Sequence, residues 1–171
     1  MQDQEVTPEG VYKHDNHITP KVTVDIFILT SDNKLVLIER KNAPLGWALP
    51  GGFVDVGETT MEAAIREAQE ETGCRLARVE QFHTYSAPSR DPRGHGITVA
   101  YIAHTLDTPV AADDAKSIAE FDLGIMKGYS LDRLGNKMSR LLPGNDIVFD
   151  HTQMILDLKH FQETGQRPTR E

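Results

Sequence analysis

Between Gly51 and Cys74 the chain carries six acidic residues against one basic one, Arg66, and this imbalance limits what the segment can become. The whole chain of 171 residues has a net charge of −8, so most of its excess charge sits in these few turns. The segment is nonetheless written as a helix. Thr59 and Glu62 form a capping-box pattern, and Gly73 stands where a left-handed residue stops a helix. Met61, Ala64, Ile65, Ala68 and Thr72 recur at i, i+3, i+4, i+7 and i+11, which predicts one buried stripe. At about 100° per residue, Glu67 and Glu71 stack on one side of that helix, with Glu70 nearby. Like charges so spaced cost a helix roughly 0.2–0.5 kcal/mol per pair. Arg66 lies at i+4 from Glu62 and i−4 from Glu70, where it offsets part of that cost. Glu67 and Glu71 are left without a local basic partner, at the border of the stripe.

Two readings of this face stand side by side. It is a solvated acidic surface, or it is a platform for a hard divalent cation, which takes oxygen ligands. The preceding loop weighs toward the second. Pro50-Gly51-Gly52 allows close backbone approach and φ > 0, and a carbonyl from it can complete a metal shell.

The length suits one domain with a real core. Residues 1–20 read as a polar arm with a short strand near Val11-Tyr12, residues 21–164 as a single domain, and residues 165–171 as a tail. Val22–Leu29 and Lys34–Glu39 read as a hairpin around the Ser31-Asp32-Asn33 turn. A short strand is expected around Trp47–Leu49, longer ones at Arg75–Tyr85 and Ile97–Leu106, and another at Ile118–Leu123. Further helices are expected near Leu131–Leu142 and from an Asp150 cap to about Glu163. Interleaved strands and helices imply an α/β (α+β) chain with a mixed sheet packed between helices.

An acidic chain is a poor coat for nucleic acid, which needs a basic face against phosphates. It can bind a phosphorylated small molecule if cations lie between the like charges. Cys74, the single cysteine, forms no internal disulfide and reads as buried and inert. The N-terminus lacks the pattern of a signal peptide, and the longest apolar run, broken by Asp25, is too short for a membrane span. A soluble cytoplasmic protein is the expectation. His83, His95, His104 and His151 lack transition-metal spacing and read as structural or surface residues.

The segment Gly52-FVDVG-Glu58-TTMEAAI-Arg66-Glu67-Ala68-Gln69-Glu70-Glu71-Thr72-Gly73-Cys74 resembles the Nudix box. Every fixed identity of that box is present; only its aliphatic positions are soft, with the small Ala68 and Cys74. The resemblance implies a Nudix-type α/β/α sandwich and hydrolysis of a nucleoside diphosphate linked to another group. It implies that Glu67 and Glu71 bind Mg²⁺ or Mn²⁺ together with the Gly51 carbonyl. It further implies that Glu70 binds metal or acts as base, that Arg66 orients the glutamates, and that Glu58 supports the cluster or holds a further ion.

Three other stretches resemble the ADP-ribose pyrophosphatase branch of this family: Trp47–Phe53, the loop from Tyr85 to His95 containing Arg90-Asp91-Pro92-Arg93-Gly94, and Ala112–Lys116. Pro88, 14 residues past Cys74, matches as well. Arg90 and Arg93 are candidates to fork onto phosphate or ribose oxygens, unless Arg90 and Asp91 pair with each other. Arg40 and Lys41 are candidates for the diphosphate or for plain surface. Trp47, Phe53, Tyr85 and Tyr101 stack on adenine or belong to the core. Asp114 is chosen to complete the metal site or serve as base. Ser117 stands where the branch has Glu, which leaves the base open, with Glu120 as a substitute.

The expected function is Mg²⁺-dependent hydrolysis of ADP-ribose to AMP and ribose 5-phosphate. The rivals are an oxidised nucleoside triphosphate, a dinucleoside polyphosphate or NADH as substrate, and a non-catalytic ADP-ribose-sensing regulator. The regulator needs a basic C-terminal DNA reader, and residues 122–171 carry no net charge. The expected partners are a small nucleotide and a second copy in a homodimer, with no nucleic acid and no membrane.

Overall fold

The computed structural model describes residues 19–112, 115–123 and 147–169. The strand expected near Val11-Tyr12, the residues Asp113 and Asp114, and the helix expected near Leu131–Leu142 lie outside the described residues.

The elements are β1 (Lys21–Leu29), β2 (Lys34–Arg40), β3 (Trp47–Ala48), β4 (Gly51–Phe53), α1 (Thr60–Thr72), β5 (Ala77–Tyr85), β6 (Gly96–His104), β7 (Ala115–Asp122) and α2 (His151–Thr164). The described strands form one mixed sheet in the order β3-β2-β1-β6-β5, with β4 on β1 and β7 on β2. β1 runs parallel to β6 along its whole length, from Lys21↔Gly96 to Leu29↔His104. The expected hairpin of β1 and β2 closes only at its turn, through Leu29↔Leu35. Further along, β4 takes that edge of β1, and β2 pairs instead with β7 and β3. Gly51 and Gly52 therefore belong to a short strand rather than to a loop. β7 also begins earlier than expected, at Ala115.

The period of two along β1 assigns its side chains to opposite faces. Val24, Ile26 and Ile28 pack with Val36, Tyr101 and the α1 alanines; Phe27 and Leu29 pack on the other face with Leu35, Leu37, Phe82 and α2. Both faces of the strand are covered, which accounts for its nearly unbroken apolar run. Asp25 follows the parity of Phe27 and so points toward α2.

α1 forms as expected, with the capping box of Thr59 and Glu62 complete and Gly73 left-handed at φ 67°. Its buried stripe differs from the expected one. Ala63, Ala64, Ala68, Glu71 and Thr72 are buried, whereas Met61 and Ile65 are each 44% exposed. Alanines let the helix lie close against the sheet, and that rotation carries Glu71 inward while the two larger side chains turn out.

α2 buries His151, Met154, Ile155 and Leu158, a stripe at i, i+3, i+4 and i+7. Asp150 occupies its N-cap position but makes no side-chain cap hydrogen bond. Arg90 holds the carboxylate instead.

Candidate active site

β4 brings two glycines against α1. Gly51 pairs with Asp25 of β1 and has φ 157°; a Cβ there would lie 2.1 Å from the Val24 carbonyl oxygen. At Gly52 a Cβ would lie 2.3 Å from Oε1 of Glu67. The first glycine is required by the neighbouring strand, and a side chain at the second would displace the Glu67 carboxylate. The Gly51 N–H donates to Oε2 of Glu71 at 2.9 Å. Glu67 and Glu71, one turn apart on α1, thus meet consecutive residues of one strand.

Arg66 binds this cluster from its outer side. Its Nη2 and Nε donate to the two oxygens of Glu58 at 2.6 and 3.1 Å, and Nη1 donates to Glu67 at 2.8 Å and to Glu70 at 3.0 Å. Nη2 also reaches the Phe53 carbonyl at 3.0 Å. Glu67 therefore has a basic partner, contrary to the helical-wheel reading. The wheel contains neither Glu58 nor the Phe53 carbonyl, and these pull the guanidinium across the start of the helix. Glu62 instead bonds Thr59.

The electrostatics separate the glutamates. Hydrogen bonds from Arg66 and from the Asp55 N–H hold Glu58 below the usual carboxylate range. Burial raises Glu67, and the hydrogen bond from Arg66 only partly opposes it. Burial pushes Glu71 up to about 8, against the Gly51 hydrogen bond and with the Glu67 charge adding to the rise. Glu70 lies at the rim, its side chain 45% exposed.

Across from the glycines lies a narrow slot of about 50 Å³ bordered by Arg40, Arg93 and Phe149. It shares Thr23, Arg90, Asp91 and Arg93 with a cleft of about 500 Å³ that also includes Phe53 and His95. Of the four aromatic candidates, Phe53 lines this cleft, 46% exposed, with the Lys21 ammonium 5.0 Å from its ring centroid. Trp47, Tyr85 and Tyr101 are buried in the core. Arg93 pairs with Asp91 at 2.8 Å. Arg90 is buried; it donates to both oxygens of Asp150 at 3.0 and 2.8 Å and reaches Asp25 at 3.5 Å. The Arg90–Asp91 pair entertained above is thus replaced by two different pairs. Arg40 donates from Nε to the Pro44 carbonyl at 3.0 Å and places its guanidinium 5.1 Å from the centre of the Phe149 ring.

Behind the slot lies a network that sequence reasoning missed. Asp25 accepts from Thr98 Oγ1 at 2.7 Å and sits 3.2 Å from His151 Nε2. The Leu49 N–H donates to His151 Nδ1 at 2.9 Å. Burial opposes the Asp25 charge, but His151, Arg90 and Thr98 together outweigh it and its pKa falls. The one available signal was a lone acid in the strand VTVDIFIL. Ser117 donates to Glu39 at 2.7 Å, and Glu120 lies 3.7 Å from Lys34 on the β7–β2 edge.

The donor set suits a hard divalent cation: carboxylate oxygens beside a glycine strand, one of them on a buried Glu71 whose charge the Gly51 N–H and Arg40 only partly offset. Among the described residues no three His, Cys, Asp or Glu side chains converge at metal-ligand distances. Arg66 and the Gly51 N–H hold these carboxylates in this arrangement.

A glutamate helix seated on a glycine strand and faced by arginines, in a mixed sheet between helices, defines a pyrophosphohydrolase. The NUDIX domain model matches residues 19–139, and the chain belongs to the Nudix family. It is 43% identical over 148 residues to the ADP-ribose pyrophosphatase of Methanocaldococcus jannaschii, covering 85% of this chain and 76% of that protein. It is 38% identical over 99 residues to the ADPR responsive transcriptional repressor NtrR of Acinetobacter baylyi, covering 54% of this chain and 40% of the repressor. Among solved structures it resembles a MutT/nudix family protein from Enterococcus faecalis, with TM-score 0.68, 30% identity, and coverage of 90% of this chain and 65% of that one. The NUDIX domain of Shewanella oneidensis NrtR complexed with ADP ribose gives TM-score 0.67 at 25% identity, covering 88% of this chain and 93% of that one.

Proposed function

We propose that this Nudix hydrolase cleaves ADP-ribose to AMP and ribose 5-phosphate with Mg²⁺ or Mn²⁺. The observation that carries the reading is the buried Glu71 held against Gly51 beside Glu67 on Gly52, opposite an arginine-lined slot that opens into a nucleoside-sized cleft. The 43% identical relative bearing the name ADP-ribose pyrophosphatase supports the choice of substrate.

Glu67, Glu71 and the Gly51 carbonyl would hold the cation, with Glu70 and Glu58 as further ligands. When bound, it would neutralise the diphosphate and lower the pKa of a water. Arg66 orients Glu58, Glu67 and Glu70 at once and acts as a positioning residue. Glu70, at the rim, is the candidate to take the proton of the attacking water, with Asp114 its rival. Arg40 and Arg93 face the diphosphate, Arg90 stiffens the loop that carries Arg93, and Phe53 offers a ring to the base. One bridging P–O bond breaks, and the water oxygen enters one product phosphate. Because little covalent chemistry falls to the protein, positioning and electrostatics carry the rate.

The test is hydrolysis of ADP-ribose with Mg²⁺ in H₂¹⁸O, beside an oxidised nucleoside triphosphate, a dinucleoside polyphosphate and NADH. AMP and ribose 5-phosphate, with ¹⁸O in one of them, are expected. Turnover of a triphosphate alone would reassign the substrate. Tight ADP-ribose binding without products would favour the regulator, the rival reading to which the NtrR relative lends support. The proposal includes a homodimer, which sedimentation of the full chain tests. Among the described residues no helix is long and apolar enough to cross a membrane.

A further inference from the structure

Three consecutive residues, remote from the acidic helix in sequence, depart from local rules together. Phe149 is bulky yet left-handed, at φ 57°. Asp150 stands at a helix cap and does not cap. His151 is polar yet only 3% exposed. A turn serving α2 alone would favour Gly or Asn at the first position and a capping bond at the second.

Each departure serves the wall that faces Gly51 and Gly52. His151 joins the Leu49 N–H to Asp25, behind the glycine strand. Asp150 grips Arg90 through two hydrogen bonds. Phe149 receives two guanidinium groups from separate stretches of chain, Arg40 at the end of β2 at 5.1 Å and Arg93 of the loop before β6 at 5.0 Å from its ring centroid. Both distances lie within cation–π range. Two guanidinium groups seated on one ring present their donors to a common anion. Asp91 neutralises part of Arg93 and fixes its guanidinium. The slot between these arginines and the glycines is lined by Phe149 itself. Left-handed backbone at a bulky residue persists only where its surroundings hold it, and here it carries the ring to both Arg40 of β2 and Arg93 of the loop before β6.

We propose that Phe149 is a positioning residue: its ring seats Arg40 and Arg93 as a two-arginine clamp for the diphosphate of the substrate. The proposal rests on the reading above for the identity of the substrate, and on the geometry alone for the clamp.

The test compares the full chain with Phe149→Leu, Phe149→Asn and Phe149→Tyr. Inorganic pyrophosphate is titrated calorimetrically in Mg²⁺, and KM and kcat are measured for ADP-ribose. Phe149→Leu and Phe149→Asn lose the ring; each should weaken pyrophosphate binding at least about fivefold and raise KM comparably, with kcat within about twofold. Phe149→Tyr should stay within about twofold of the parent in both. Asn accepts left-handed backbone, so Phe149→Asn should melt no lower than the parent and keeps the test open if the leucine variant folds poorly. Ring-less variants that bind pyrophosphate as the parent does would overturn the proposal, as would a tyrosine variant as weak as the leucine one. If ADP-ribose proves not to be cleaved, the pyrophosphate titration alone still decides whether Phe149 builds the clamp.

Discussion

The two sides of the site, the glutamate helix behind Gly51 and Gly52 and the arginine-bearing wall of the slot, are built in opposite ways. The acidic wall comes from one continuous segment, with Glu58, Arg66, Glu67, Glu70 and Glu71 all within a few turns of Gly52. The basic wall draws Arg40 from the end of β2, Arg90 and Arg93 from the loop before β6, and Phe149 to His151 from the start of α2. The first wall repels itself and is held by Arg66 and by a hydrogen bond from Gly51. The second is tied together by contacts that exist only after distant segments meet, Arg90 with Asp150 and Asp25 and both outer guanidinium groups with Phe149. Local order thus suffices to gather carboxylates on one face, whereas the gathering of arginines opposite them depends on tertiary packing.

Substitutions can break either wall separately. Glu71→Gln should have the largest effect, lowering turnover by at least about 10²-fold, since a lost ligand loosens ion and water together. Steady-state rates across a Mg²⁺ series check this, and a variant that saturates with the parent's rate would remove Glu71 from the acidic wall. His151→Ala strikes the other side. It leaves buried Asp25 with Arg90 and Thr98 only and removes the acceptor of the Leu49 N–H, so about 1–3 kcal/mol of stability should go. Urea unfolding at constant Mg²⁺ measures it; an unchanged midpoint would mean that the network is incidental.

Acidity distinguishes the walls next. Glu71 in the metal-free chain is raised from its ordinary 4.5 to about 8. A group raised by folding binds its proton more tightly in the native state, so its contribution is complete below about 4.5 and is lost as pH climbs through about 8. The metal-free melting temperature should fall across that window, and saturating Mg²⁺ should flatten the decline. Asp25, being lowered, acts in the opposite sense: its contribution is present at neutral pH and disappears in acid. The smallest effect belongs to the outer face of α1. Ile65→Gln should change stability by no more than about 0.5 kcal/mol, because Ile65 is exposed. A loss of several kcal/mol on melting would restore Ile65 to the buried stripe.

Much of the acidic wall was readable in advance. The capping box, the glycine stop, the Glu67–Glu71 face and the glycine pair all follow from spacing, and spacing survives folding. Rotation of the helix was not readable. Met61 and Ile65 look more apolar than Ala63, but alanines are what let α1 approach the sheet, and closeness decided which side turned inward. The partner of Glu67 was missed for a related reason, because Arg66 answers to groups outside the helix. Position alone makes Asp150 a cap; a buried guanidinium offers its carboxylate a stronger, charge-assisted partner than a helix N–H does.

What the chain determines on its own is a periodicity and a local charge: which segment coils, where it stops, and that its carboxylates share a side. These are properties of neighbours a few residues apart, whose geometry the covalent backbone dictates. What required the assembled molecule is the meeting of Asp25, Arg40, Arg90, Arg93 and the Phe149–His151 turn, which come from four stretches of chain. Sheet order, through β4 lying on β1 and α2 lying beneath it, brought them together. Buried charges choose partners by distance in space, and no spacing along a sequence encodes that distance.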